Sequence, residues 1–145
     1  MRKHIIVATF AALACIATAC DKQPGNTNNN TDYPKINAFV STYFPQTSIR
    51  TARLDGDEID VKLNDGTDID FYLSFEWQSI DCDESNIYTS VPTELVPTQI
   101  TDYVTTNFPN NHIDQIEKEG SRWSIELNNG IEITFDSNFN VIEID

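Results

Sequence analysis

From Ile36 onward, apolar residues recur at helical spacing. Ile36, Phe39, Val40 and Tyr43 fall on one face at i, i+3, i+4 and i+7, and Ile100, Tyr103 and Val104 do so again. Phe44-Pro45 and Phe108-Pro109 end the two stretches, because proline disfavours helical geometry in the residue before it, and the aromatic can then fold back onto a core. Beyond each stop the period drops to two: Ile59, Val61, Leu63 and Ile69, Phe71, Leu73, then Trp123, Ile125, Leu127 and Ile131, Ile133, Phe135. These alternations predict half-buried strands, with a fourth strand around Trp77 to Asp81 and Val141 to Asp145.

The recurrence is in register. Residues 36–81 align without a gap over 100–145, a constant shift of 64 (100 minus 36), with fifteen identical residues in 46 positions. INAFVSTYFPQTSI lies over ITDYVTTNFPNNHI, and Leu63-Asn64-Asp65-Gly66 over Leu127-Asn128-Asn129-Gly130. An unbroken register of that length predicts duplication of one structural unit. The fold class is α+β: a tandem repeat of one helix plus a four-stranded antiparallel meander, with helices on one face of the sheet and water on the other.

Side-chain parity tests the turns. A three-residue Asn64-Asp65-Gly66 loop with Gly66 left-handed sets Leu63 opposite Thr67, Val61 opposite Ile69 and Ile59 opposite Phe71; the second copy pairs Leu127 with Ile131, Ile125 with Ile133 and Trp123 with Phe135. Trp123 aligns with Ile59 and is expected in the core. In the preceding hairpins, two-residue Asp55-Gly56 and Glu119-Gly120 turns place Ala52 by Ile59, Arg53 by Glu58, Ile116 by Trp123 and Glu117 by Arg122. Opposite charges would then meet on the outer face in both copies.

The N-terminus carries an address. Arg2, Lys3 and His4 precede an apolar run from Ile5 to Ile16, and Ala17-Thr18-Ala19 stand before Cys20. The run is too short to span a bilayer, and small residues directly before a cysteine resemble a bacterial lipobox, which predicts a lipoprotein signal peptide at 1–19 and lipidation of Cys20. Residues 20–33, including DKQPGNTNNNTD, read as a flexible Asn-rich tether. The folded part is 34–145, as repeat 1 (34–81), connector (82–97) and repeat 2 (98–145). The expected location is exported and lipid-anchored in the cell envelope, facing the periplasm or at the cell surface.

Charge narrows the partners. The chain has 9 Lys+Arg and 23 Asp+Glu, a net charge of -14; removing Arg2 and Lys3 with the signal peptide leaves 7 minus 23, or -16. Nucleic acid and anionic lipid headgroups need a basic surface, so both are excluded as ligands, the membrane being reached through the anchor alone. A protein partner should present a basic surface.

The helix-FP-strand unit, its L-N-D-G and L-N-N-G hairpins, and the VPxxxVPxxI connector from Val91 to Ile100 resemble the PepSY-like, β-lactamase-inhibitor-like family of secreted bacterial proteins over residues 34–145. The resemblance implies a tandem α+β architecture whose eight strands form a curved sheet backed by helices. It implies little about activity. The paired-cysteine framework of the true lactamase inhibitor is missing, so lactamase inhibition is not supported.

Catalysis is not expected. The mature chain offers one histidine, His112, in a polar stretch, and Cys82 lies between Asp81 and Asp83-Glu84, carboxylates that raise a thiol's pKa and suppress the thiolate. Binding is the better reading. Strand parity puts Asp60, Lys62, Asp68, Asp70, Tyr72, Glu126, Glu132 and Thr134 on the face away from the helices. Trp77 joins them opposite Tyr72 if the last turn has four residues, or is buried instead if a bulge intervenes. An acidic face with aromatic anchors suits an exported protein partner, and the family resemblance implies an inhibitor-like role for this chain. The alternative is a calcium-binding structural or regulatory module. Its candidate ligands are Asp55, Asp57 and Glu58, on a turn that fits no EF-hand loop; no other cofactor is indicated.

Overall fold

The computed structural model describes residues 33–145. The expected signal peptide, Cys20 and nearly all of the tether lie outside the described residues. Within them the order is α1 (Pro34–Tyr43), β1 (Ile49–Asp55), β2 (Glu58–Leu63), β3 (Asp68–Tyr72) and β4 (Trp77–Asp81). There follow a 3-10 turn (Thr93–Leu95), α2 (Thr98–Asn107), β5 (Ile113–Glu119), β6 (Arg122–Leu127), β7 (Glu132–Phe135) and β8 (Val141–Ile144). The strands form one eight-stranded antiparallel sheet in sequence order, an α+β fold.

Both helices begin beside a proline and end where the chain reads Phe-Pro: the Phe44 and Phe108 amides each donate a last bond, to the carbonyls of Val40 and Val104. Ile36, Val40, Ile100 and Val104 are buried against the sheet. Phe39 meets Phe71 edge-on at 5.2 Å and Tyr103 meets Phe135 edge-on at 5.5 Å, so each helix is keyed to its third following strand by an aromatic pair. The opposing side is Ile59, Val61, Leu63, Ile69, Phe71, Ile80, Ile116, Ile125, Leu127, Ile133 and Phe135, all on the helix side of the sheet and at most 2% exposed.

The parity of the three-residue loops holds. Val61 pairs with Ile69 and Ile59 with Phe71; Ile125 pairs with Ile133 and Trp123 with Phe135. Leu63 donates to the Thr67 carbonyl at 2.8 Å and Leu127 to that of Ile131 at 2.9 Å, with Gly66 and Gly130 at positive φ. The two-residue hairpins differ from expectation by a slip of two. Asp55 pairs with Glu58 and Glu119 with Arg122, so the turns are Gly56-Asp57 and Gly120-Ser121, with glycine at the first turn position. Ala52 therefore faces Val61 and Ile116 faces Ile125. Arg53 meets Asp60 rather than Glu58, and Glu117 meets Ser124 rather than Arg122, so the outer-face charge pair forms in the first half alone.

The last turn also differs. Tyr72 donates to the Glu76 carbonyl across a three-residue Leu73-Ser74-Phe75 turn, which places Leu73 in solvent rather than in a strand. Phe75 and, in the matching turn, Phe139 adopt positive φ (68° and 61°), a strained choice for a bulky residue that ring packing offsets: Phe75 lies 5.9 Å from Tyr33, and Phe139 6.3 Å from Trp123. The Leu73-Ser74-Phe75 turn sets Trp77 opposite Phe71, and a bulge at Gln78 then brings Ser79 opposite Asp70. Trp123 is half-buried at the rim of the core rather than inside it.

The connector is part of the core. Val91, Leu95 and Val96 are buried, and Tyr88 meets Phe44 edge-on at 5.0 Å while its hydroxyl accepts from the Gln46 amide.

Candidate functional site

The face away from the helices is built by alternation: each inward isoleucine or phenylalanine leaves its strand neighbours outward. Pairing across the sheet arranges the outward residues in rows. One row runs Arg53, Asp60, Asp70, Ser79, Glu117, Ser124, Thr134, Glu143; the next runs Thr51, Lys62, Asp68, Asp81, Gln115, Glu126, Glu132. The expected residues Asp60, Lys62, Asp68, Asp70, Tyr72, Glu126, Glu132 and Thr134 lie together here.

Four carboxylate pairs stand directly opposite one another: Asp55 with Glu58, Asp60 with Asp70, Asp68 with Asp81, and Glu126 with Glu132. Like charges in that relation oppose pairing. Part of the cost is met locally. Arg53 bonds Asp60 at 2.9 Å, Lys62 bonds Asp68 at 2.7 Å, the Ser79 hydroxyl donates to Asp70 at 2.7 Å, and Gln115 donates to Asp81. The remainder shows in the titration of the row. Burial, followed by the charges of Asp60 and Asp68, holds Asp70 above the usual carboxylate range despite the Ser79 bond. Burial, then Glu119 and Asp70, raises Glu117, and Glu58 is raised by burial and by Asp70. Glu117 senses the charge of Asp70 across Ser79, at the β4–β5 join.

Tyr72 is outward, but its hydroxyl donates to the Lys118 carbonyl at 3.0 Å, fastening β3 to β5 across β4. Trp77 is not on this face. Half-buried on the helix side, its ring lies 6.0 Å from that of Trp123, and the Lys118 ammonium sits 3.9 Å from the Trp77 ring and 5.0 Å from that of Trp123. Glu117 is on the face as expected, whereas Ser79, Gln115 and Ser124 belong to it and escaped the sequence reading, since nothing in the linear text says that β4 pairs with β5. The outward alternation of Gln115 and Glu117 was the available signal.

Asp55, Asp57 and Glu58 cluster around one turn; among the described residues no group of three or more His, Cys, Asp or Glu is placed to hold a metal ion. His112 is exposed. Cys82 is 2% exposed, and burial, with the nearby Asp81, Asp65 and Asp114 charges, pushes its thiol up to about 12, so it is held as a packed, protonated side chain. Asp114 is 5% exposed with Oδ1 unpartnered, and burial, then Glu126 and Asp83, raises it to about 6.

The family model described as "Putative beta-lactamase-inhibitor-like, PepSY-like" matches residues 57–143. Among solved structures, a putative periplasmic protein from Bacteroides vulgatus is 33% identical, with a TM-score of 0.71 over 77% of this chain and 88% of its own. A second from the same organism, of unknown function, is 27% identical, with a TM-score of 0.70 over 77% and 89%. A putative calcium-regulated periplasmic protein from Bacteroides thetaiotaomicron is 29% identical, with a TM-score of 0.69 over 74% and 85%. No curated protein matches the chain.

Proposed function

The chain belongs to the PepSY-like, putative β-lactamase-inhibitor-like family, and from that premise we propose that it is an exported, non-enzymatic interaction module whose outer sheet face receives a basic surface of another exported protein. The periplasmic description of its structural neighbours supports export, and the lipobox-like start adds a lipid anchor at Cys20. We also read the two halves as copies of one helix-plus-meander unit. Each bulge and positive-φ residue of 34–81, and each strand pair except Glu58–Tyr72 and Asp68–Asp81, has its counterpart 64 positions on: the bulges at 50 and 114, at 78 and 142, and the left-handed Phe75 and Phe139.

The observation that carries the binding reading is the opposed carboxylates. Asp60–Asp70, Asp68–Asp81 and Glu126–Glu132 work against the fold that holds them, and a cationic partner relieves all three. Folding and binding therefore pull in opposite directions at Asp70 and Glu117. Asp70→Asn and Glu117→Gln should each raise the melting temperature at neutral pH, because a raised carboxyl pKa means stability lost as pH climbs through it, and should each weaken cross-linked capture of the partner from the protein's own envelope. Capture that is unchanged in both variants would refute the face as the binding surface.

A second reading is calcium at the turn carrying Asp55, Asp57 and Glu58, favoured by the calcium-regulated name of one neighbour. A specific ion must raise the melting temperature by mass action, so equal melting in millimolar calcium and in chelator dismisses it.

A further inference from the structure

We propose that the two edges of the sheet join copies of this chain head to tail, β8 of one protomer pairing with β1 of the next in the register that joins β4 to β5 within the chain. The inference rests on the equivalence of the two halves and not on the outer-face partner. Inside the chain the join pairs Ser79 with Glu117, Ile80 with Ile116 and Asp81 with Gln115. Moving 64 positions along from β4 leads to Glu143, Ile144 and Asp145, and 64 back from β5 to Arg53, Ala52 and Thr51. The same geometry between protomers sets Glu143 against Arg53, Ile144 against Ala52, and Asp145 against Thr51, one residue from Arg50.

The chemistry of the two edges is complementary. β1 carries Arg50 and Arg53, two of nine basic residues in a chain of net charge -14, while β8 and the residue after it offer Glu143 and Asp145. Apolar surface is exposed where the internal join covers it. Ile80, beneath β5, is 1% exposed; Ile144, its counterpart with no strand beyond it among the described residues, is 49% exposed. Leu54 on β1 is 60% exposed and Ile142 on β8 is 50% exposed. Leu54 is the counterpart of Lys118, which lies over Trp77; between protomers that contact becomes Leu54 against Val141, apolar on both sides. Each edge also presents a row of backbone donors and acceptors facing away from its one neighbouring strand, the ordinary template for adding a strand. Because the contact uses two different patches, it propagates rather than stopping at a pair, unless a ring closes.

Sedimentation velocity of the full chain across a wide concentration range tests this. The expected result is an average mass that climbs beyond the dimer with concentration. Glu143→Arg and Arg53→Glu should each weaken association about three- to tenfold, and the double charge swap should restore it. Arg53 also bonds Asp60, so melting each variant when dilute separates lost pairing from lost folding, and Leu54→Lys, on the exposed edge, gives an independent weakening variant. A monomer mass at every concentration, a plateau at the dimer, or association that ignores the edge variants would overturn the proposal. Asp70→Asn should leave association intact while lowering partner capture, so the two readings fail separately.

Discussion

The turns Asn64-Asp65-Gly66 and Asn128-Asn129-Gly130 have one backbone and two environments. In both, the first asparagine donates its amide across to the strand entry, to Ser48 or His112, at 3.0 Å, and the glycine amide returns to the leucine carbonyl. Yet Asp65 is 4% exposed beneath the connector, accepting from the Ser85 hydroxyl at 2.5 Å and the Thr67 hydroxyl at 2.9 Å, whereas Asn129 is exposed. The same contrast recurs at the first bulge, where Arg50 lies on an edge strand in water and Asp114 lies under the connector. The local device is set by the turn; the chemistry of its middle residue is set by what covers it.

The sharpest break of that comparison is Gly66→Ala. Its φ is 105°, and a Cβ there would meet the Glu84 carbonyl oxygen at 2.3 Å, so strain and overlap add to about 4 kcal/mol. Gly120→Ala, at φ 59° with nothing nearby, should cost about 1 kcal/mol. Urea midpoints of the two variants measure the difference. Asp65→Ala strips the Ser85 and Thr67 hydroxyls of their acceptor and should cost about 2 kcal/mol, against less than about 0.5 for Asn129→Ala.

The two buried carboxylates also split by pH. Burial would raise Asp65, but the Ser85 and Thr67 bonds outweigh it and hold it low, so its stabilisation exists above the unfolded pKa and fades as acid protonates it. Asp114, raised to about 6 from 3.8, does the reverse: its contribution is complete below 3.8 and lost as pH rises through about 6. Asp114→Asn should therefore leave stability unchanged at pH 3 and add about 1 to 2 kcal/mol at neutral pH, after allowance for solvent screening. Melting temperature followed against pH checks the sign. Smallest is Lys118→Ala, which removes the ammonium from between Trp77 and Trp123 at a cost of about 0.5 to 1 kcal/mol and should alter tryptophan fluorescence; Leu54→Ala, its counterpart on the open edge, should alter neither.

What the linear text conveyed follows from which physical choices leave a mark in it. Helix faces and three-residue loops were legible because a wrong loop length inverts every side chain, placing Asp68 rather than Thr67 opposite Leu63. The Gly56-Asp57 turn was misplaced because a slip of two keeps Ala52 inward against either Ile59 or Val61, so parity could not object. Trp77 stayed open between the outer face and burial because the turn before it uses Phe75 at positive φ, where composition gives no warning. The outer rows were only half visible, since the β4–β5 join is made across sixteen connector residues, 82–97, that carry no register.

A photo-crosslinker placed at Ser79, in the middle of the outer face, and in a second variant at Asp102, exposed on α2, puts the central claim to trial in the living envelope. The account predicts discrete protein adducts from position 79 and none from 102. Adducts confined to position 102, or equal from both, would contradict it.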